Sequence, residues 1–184
     1  MLSTTMATEQ STASTDDLET LFRLHNRMVY RTAYRVTQNS SDAEDVLQTV
    51  FLRLAAKDVA SQPLEQAEAY LRRAAVNASL DLVRQRKRIV DDGGTEVNLR
   101  AAPAFEQPEH QLRAKQAGDW LRGAVAGLSR QAAEIFVLRF IEDRSNAEIA
   151  ELIGSSANSV AVTLHRSRER LRQEFEQQLG GQHV

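Results

Sequence analysis

The stretch from 145 to 171, SNAEIAELIGSSANSVAVTLHRSRERL, decides the fold of the C-terminal half of the chain. Ser145 and Glu148 have the spacing of a capping box, which predicts the start of a helix. Gly154 can adopt the left-handed conformation that ends this helix. A longer helix is predicted next, with an inward face of Val160, Leu164, Ser167 and Leu171. A short helix, a turn with glycine and a longer helix together predict a helix-turn-helix.

The second helix of this motif predicts DNA binding. In helix-turn-helix proteins the N-terminal residues of the second helix lie near base edges in the major groove, while arginines farther along reach phosphates. The candidate DNA-contacting residues are Ser156, Asn158, Ser159, Val162, Thr163, Arg166 and Arg168. The stretch from 160 to 164 has no cation, so base contact would depend on amide, hydroxyl and methyl groups. An ordinary helical hairpin is the alternative interpretation.

The helix-breaking residues divide the rest of the chain. Only three prolines and eight glycines occur in 184 residues, and Gly93, Gly94, Pro103 and Pro108 lie between two stretches with helical spacing. We find no alternating strand pattern. The sequence therefore predicts an all-α protein of two small helical domains joined by a flexible linker, the second a helix-turn-helix domain. The predicted segments are a disordered leader 1–16, a domain 17–90, a linker 91–113, a domain 114–179 and a tail 180–184.

Composition excludes several classes of protein. The chain has no cysteine, so it has neither a disulfide framework nor a thiolate zinc site. Its four histidines are scattered, and no glycine-rich phosphate loop or nucleophile–base pair is evident. We therefore expect no catalytic residue, no metal, no cofactor and no enzymatic activity. No secretory signal and no apolar stretch of about 18 residues is found, so we expect a cytoplasmic protein without membrane insertion.

Charge is unevenly distributed along the chain. The whole chain has 23 Lys or Arg and 25 Asp or Glu, which by itself argues against nucleic-acid binding. Residues 17–90, however, have 12 basic and 9 acidic residues, a net charge of +3. The linker has a net charge of −3, and residues 114–179 are neutral. The overall balance therefore conceals a basic N-terminal domain.

The N-terminal domain begins with two helical patterns. Arg23, Arg27, Arg31 and Arg35 recur every four residues, a ladder typical of a solvated face, with a binding surface as the alternative. Ser41 and Glu44 then predict a second capped helix. Its residues alone favour a helix packed in the core. The sharper alternative is an acidic face that docks an arginine-rich partner.

The helix predicted over 66–89 ends in a basic cluster. Asn77, Asp81 and Arg84 share one face, where Asp81 and Arg84 can pair across a turn. The helix then ends with Arg86, Lys87 and Arg88. The helix dipole favours cations at a helix C-terminus, but this cluster has more cations than capping requires. Phosphate binding is the better interpretation.

Three stretches together resemble one family. They are SSDAEDVLQTVFLRL, YLRRAAVNASLDLVRQRKR and LSRQAAEIFVLRFIEDRSNAEIAELIGSSANSVAVTLHRSRERLR. In this order they look like the signatures of the extracytoplasmic-function (ECF) sigma factors, which belong to the sigma-70 family. These proteins are small initiation subunits of bacterial RNA polymerase. The resemblance covers about residues 17–175.

The resemblance implies roles and partners. It implies binding of the polymerase β′ clamp helices by Asp42, Glu44, Asp45 and Gln48, which reverses the preference for a purely structural helix. It implies capture of a flipped base by the loop at 57–68. It implies contacts to the promoter −10 element by Tyr70, Asn77, Asp81, Arg84, Arg86, Lys87 and Arg88. It implies that the helix-turn-helix reads the −35 element and touches the β flap, and that an anti-sigma factor binds the protein.

Two other functions are considered. A helix-turn-helix repressor or activator would bind a duplex operator alone, as a dimer on palindromic half-sites. A pure interaction protein, such as an adaptor or an anti-sigma partner, would need neither the basic cluster nor the helix-turn-helix. We predict an ECF sigma factor, which selects promoters and helps to open the duplex.

Overall fold

The computed structural model describes the backbone of residues 4–56, 64–91 and 108–180, and side chains over 18–56, 66–90 and 113–178. Every regular element in these ranges is a helix, which confirms the predicted all-α class. None of the described helices has the length and apolar composition needed to cross a membrane. The helices are α1 (Thr4–Thr37), α2 (Ser40–Ala55), α3 (Leu64–Asp91), α4 (Pro108–Ala126), α5 (Arg130–Phe140), α6 (Asn146–Ile153) and α7 (Ala157–Gly180).

By its internal contacts the chain forms two compact units, 1–78 and 79–184. In the first unit, α1 and α2 pack along their apolar stripes. The Phe22 and Phe51 rings meet edge to face, with their centroids 4.9 Å apart. The aliphatic core of this unit includes Val29, Val46, Val50, Leu54 and Leu71.

The second unit contains the end of α3 and helices α4 to α7. Trp120 on α4 and Phe175 on α7 bring these two helices together, with ring centroids 5.0 Å apart. The short helices α5 and α6 contribute fully buried aliphatic side chains, including Ile135, Leu138 and Ile149. The second unit therefore has an apolar core of its own.

Three boundaries differ from those predicted. Helix α1 begins at Thr4, so residues 4–16 are helical instead of a disordered leader. No proline or glycine interrupts the chain there, and the helix continues back from its packed part. Helix α4 begins at Pro108, inside the predicted linker, because proline is well suited to the first helical position. Residues 92–107 of the linker and 181–184 of the tail lie outside the described residues.

The third difference concerns α3. We predicted that the whole helix belongs to the first domain, whereas contacts place its residues from Ser79 onward in the second unit. Within that unit, Asp81 and Arg84 contact residues at the end of α4 and the start of α5.

Candidate nucleic-acid and partner interfaces

Helices α6 and α7 form the predicted helix-turn-helix. The capping box is present, with the Glu148 N–H donating to Ser145 Oγ at 3.2 Å and the Ser145 N–H donating to Glu148 Oε2 at 2.8 Å. Gly154 ends α6 with φ of 68°, which confirms the predicted left-handed position. The four residues predicted to face inward on α7 are all buried: Val160, Leu164, Ser167 and Leu171.

Glu148 holds the start of this motif together electrostatically. The Ser145 backbone N–H is the largest influence on its carboxylate, followed by Arg144 and the Ser145 hydroxyl. The Arg144 guanidinium lies 2.7 Å from Glu148 Oε1. These donors stabilise the charged form and lower the pKa of Glu148 to about 2. The capping box is therefore intact throughout the neutral pH range.

The outer face of α7 presents an amide and a methyl-bearing side chain. Asn158 is exposed and Val162 is 41% exposed one turn later. The hydroxyls beside them are already engaged in the helix. Ser156 Oγ accepts from the Ser159 N–H at 3.1 Å, and Thr163 Oγ1 donates to the Ser159 carbonyl at 2.9 Å. Of the predicted DNA-contacting residues near the start of α7, Asn158 offers an exposed amide and Val162 an exposed apolar side chain, the groups that hydrogen-bond bases and contact thymine methyls.

The arginines of α7 fall into two groups. Arg170 pairs with Glu174 at 2.8 Å, and Arg172 pairs with Glu169 at 3.3 Å. Arg166 and Arg168 are exposed and form no ion pair within the described part of the chain. These two guanidiniums, both predicted DNA contacts, are the ones that can bind phosphate without breaking an existing pair.

The acidic residues of α2 divide into one buried and two exposed side chains. We predicted Ser41 as the N-cap with Glu44 as its partner, but Asn39 is the N-cap, accepting from the Asp42 N–H at 3.1 Å. This places Asp42 in the first turn, where it is only 5% exposed. Glu44, Asp45 and Gln48 are exposed on adjoining positions of the helix. Of the four predicted polymerase-binding residues, only these three face solvent.

Two of the predicted −10 residues of α3, Asp81 and Arg84, form contacts inside the protein. The Asp81–Arg84 pair is confirmed, at 3.0 Å. Arg84 also donates from Nε to the Ala126 carbonyl at 2.8 Å, and Asp81 lies 3.7 Å from Arg130. These contacts lie within the second unit. Sequence periodicity missed them because no local pattern connects residues so far apart in the chain.

The other predicted −10 residues differ in exposure. Tyr70, Asn77 and Arg86 are half-buried, whereas Lys87 and Arg88 are exposed. The Asn77 amide nitrogen donates to the Arg73 carbonyl at 3.0 Å, and its Oδ1 is buried with no hydrogen-bond partner among the residues that the structure describes. A buried acceptor without a partner is costly. Residues 57–63 of the predicted base-capturing loop lie outside the described residues.

The described residues contain no cluster of three or more His, Asp or Glu side chains that could hold a metal ion. The exposed polar groups of α2, α3 and α7 include amides, carboxylates, guanidiniums and the Lys87 ammonium. Such groups bind macromolecules by ion pairing and hydrogen bonding.

Two family models match this chain in sequence order. The model described as Sigma-70 region 2 matches residues 21–89, and the model described as Sigma-70, region 4 matches residues 118–171. The matched ranges leave residues 90–117 between them. The second range includes α6, the turn and α7 as far as residue 171.

Two named sigma factors are related to this chain by sequence. The ECF RNA polymerase sigma factor SigE of Mycolicibacterium smegmatis is 34% identical over 83% of this chain and 59% of its own length. The RNA polymerase sigma-E factor of Streptomyces avermitilis is 31% identical over 87% of this chain and 86% of its own length. A solved structure, the sigma factor RpoE in complex with the anti-sigma factor NepR from Bartonella quintana, covers 87% of this chain and 97% of its own, with 21% identity and a TM-score of 0.49.

Proposed function

This chain belongs to the sigma-70 family as an RNA polymerase sigma factor of the ECF type, and from that premise we propose how its surfaces act in transcription initiation. It binds core RNA polymerase, recognises the −10 and −35 promoter elements and promotes opening of the duplex. The observation that carries this proposal is the match of region 2 and region 4 in order along one chain, at residues 21–89 and 118–171.

The exposed face of α2 is the proposed docking surface for the β′ clamp helices. Glu44, Asp45 and Gln48 offer two carboxylates and an amide at adjoining positions. Carboxylates bind arginine guanidiniums bidentately, which gives both orientation and affinity. Asp42 is buried, so its proposed part is to hold the first turn of α2 in place.

The end of α3 is the proposed surface for the −10 element. Lys87 and Arg88 are exposed and can bind backbone phosphates, and Arg86 adds a third cation. Tyr70 and Asn77 supply an aromatic ring and an amide for a base that leaves the stack. Asp81 and Arg84 position this helix through their own pair and the Ala126 carbonyl.

The helix-turn-helix is proposed to read the −35 element and to touch the β flap. Asn158, Val162 and the two unpaired guanidiniums of α7 make the contacts. Because few groups on α7 can read bases, we expect weak binding to duplex DNA by the isolated protein. Most of the promoter affinity then comes from the holoenzyme.

Three further expectations accompany the family. The chemistry of RNA synthesis belongs to the polymerase, and this chain contributes no catalytic group. The chain works where RNA polymerase works, in the cytoplasm. An anti-sigma factor that covers its polymerase-binding surfaces is the proposed regulator.

The deciding experiment combines purified core polymerase with this chain. Run-off transcription on a library of random promoter sequences should give defined start sites only when the chain is added, and sequencing the templates reads the promoter. Core polymerase alone is the control. A chain that binds a duplex operator tightly as a dimer, without binding core polymerase, would be a conventional helix-turn-helix repressor or activator and would contradict the proposal.

A further inference from the structure

The outward face of α1 has a strip of cations that the proposed promoter and polymerase contacts do not use. Arg23, Arg27 and Arg31 follow one another at successive helical turns, and all three are exposed. The opposite face of the helix is the buried one, with Leu21, Val29, Ala33 and Val36. The strip is therefore on the side of α1 that faces away from the apolar core.

The charges on this strip are not neutralised by the protein. Within the described residues, Arg23, Arg27 and Arg31 form no ion pair. Arg35, the fourth member of the ladder, has an interaction of its own. Like charges at i,i+4 disfavour a helix, since each pair is mildly destabilising. An anionic ligand with regularly spaced charges would remove this repulsion.

Two tyrosines lie on the same face. Tyr30 and Tyr34 follow Arg27 and Arg31 at i+3 spacing, so the five side chains extend over about 16 Å of helix at 1.5 Å per residue. The two rings are nearly parallel, with an interplanar angle of 11° and centroids 6.3 Å apart. Tyr34 is 42% exposed, although aromatic side chains are usually more deeply buried.

Tyr34 is exposed and Tyr30 is half-buried beside it. Guanidiniums beside solvent-accessible aromatic rings are a combination that binds single-stranded nucleic acid. The cations follow the backbone phosphates, and the rings stack on bases whatever their sequence. An acidic protein surface would be matched by the arginines alone and would leave the tyrosines unexplained. We propose that Arg23, Arg27, Arg31, Tyr30 and Tyr34, here called the α1 face, bind single-stranded nucleic acid without sequence preference.

This inference rests on the proposed function for the source of the strand, which is the one exposed when the promoter opens. It adds a contact separate from the −10 surface of α3 and the −35 surface of α7. Its effect is to hold a separated strand through backbone and base faces. Re-pairing of the duplex is then disfavoured.

The test measures binding of the full chain to fluorescein-labelled oligothymidylate of about 20 nucleotides, longer than one typical site. Fluorescence anisotropy is recorded over a series of salt concentrations. Arg27→Gln/Arg31→Gln should bind about tenfold more weakly. The plot of log affinity against log salt should become less steep by about 1.4, because the variant loses two phosphate contacts and each contributes about 0.7. The matched control is Arg113→Gln/Lys115→Gln, two exposed cations on α4, which should bind as the unmodified chain does.

A second pair of variants tests stacking. Tyr34→Ala should weaken binding at least about fivefold with no change in the salt slope, because it removes a ring and leaves the charges in place. Tyr34→Phe should retain the affinity. Thermal unfolding of the arginine variants and of Tyr34→Phe should match the unmodified chain, and binding by Tyr34→Ala is measured well below its own melting temperature. The same series on duplex DNA should show no effect of Tyr34.

Two results would overturn the inference. One is equal binding of the oligonucleotide by the Arg27/Arg31 double variant and its α4 control. The other is unchanged oligonucleotide binding together with a loss of core-polymerase binding, which would make the α1 face a protein-docking surface. Run-off transcription separates this from the proposed function: if transcription persists while the oligonucleotide data are flat, only the α1 face is wrong.

Discussion

Arg84 donates from Nε to the Ala126 carbonyl at 2.8 Å, so its guanidinium caps the C-terminal end of α4. The last carbonyls of a helix have no partner inside the helix, and a cation is favoured there by the helix dipole. Nη1 of the same side chain holds Asp81 at 3.0 Å. Arg84, which the sequence predicts to be a −10 contact, thus has structural contacts inside the protein.

Replacing Arg84 tests that role. Arg84→Ala should lower the free energy of unfolding by about 1–2 kcal/mol, because it removes a charged donor from a carbonyl and leaves Asp81 without its nearest cation. Arg84→Lys should recover part of this loss. Arg88→Ala, an exposed cation on the same helix, is the control and should change stability by less than about 0.5 kcal/mol. Urea unfolding measures all three, and equal stability of Arg84→Ala and Arg88→Ala would contradict the structural role.

The sequence predicted the helix-turn-helix well because its signals are local. Caps, the left-handed glycine and the inward spacing of α7 all act within a few residues, and the structure confirms each of them. The N-cap of α2 was harder, because Asn39 and Ser41 are both good caps. In the structure Asn39 takes this position, and its side chain accepts from the Asp42 N–H. Residue type alone does not distinguish the two candidate caps.

The hydrogen bond from Arg84 on α3 to the Ala126 carbonyl could not be predicted from the sequence either. Arg84 and Ala126 are 42 residues apart, and a main-chain carbonyl carries no sequence signature. The pairing of Asp81 with Arg84 could be predicted from the sequence because the two residues are one helical turn apart. A long-range partner for the same guanidinium required the fold.

Reversing the charge at Asp45 should abolish binding to core polymerase. Asp45 is exposed on the proposed docking face, so Asp45→Arg would place a cation against an arginine-rich partner and weaken binding by roughly a hundredfold or more. Stability should be nearly unchanged, because the side chain faces solvent. Glu176→Arg, a reversal at an exposed site on α7, is the control. Co-purification with core polymerase is the measurement, and undiminished recovery of Asp45→Arg would exclude this face.

Neutralising the basic end of α3 should impair promoter opening. Arg86→Ala/Lys87→Ala/Arg88→Ala removes three proposed phosphate contacts, so the salt slope of promoter binding should fall by about 2.7 for duplex DNA. Permanganate footprinting with reconstituted holoenzyme measures opening, and binding to core polymerase should be retained. Opening that persists unchanged at physiological salt would remove this cluster from the DNA-binding surface.

A side chain at Gly154 should strain the turn of the helix-turn-helix. Its φ is 68°, and the position is otherwise open, because an added Cβ would have no atom within 4 Å apart from Gly154 and its two chain neighbours. Gly154→Ala should therefore cost about 1 kcal/mol from backbone strain alone. Gly118→Ala, within helix α4, is the opposite case and should be neutral or stabilising. Thermal unfolding distinguishes them, and equal melting temperatures for the two variants would contradict the strain argument.

The charge of Glu148 should give the capping box a defined pH dependence. Its pKa falls from 4.5 to about 2 on folding, so the folded state favours the ionised form. The stabilisation is fully present above about pH 4.5 and is lost as the pH falls toward 2. The difference in unfolding free energy between the unmodified chain and Glu148→Gln should therefore be constant from neutral pH to about pH 5 and shrink below that.

Urea unfolding from pH 7 down to about pH 3 measures this difference. Glu151→Gln is the control, because it lies on the same helix but takes no part in the capping box. Ser145→Ala should reduce the pH-dependent difference, since the Ser145 hydroxyl is one of the donors to the carboxylate. A difference for Glu148→Gln that stayed constant down to pH 3 would mean that the Ser145 and Arg144 donors do not select the ionised carboxylate.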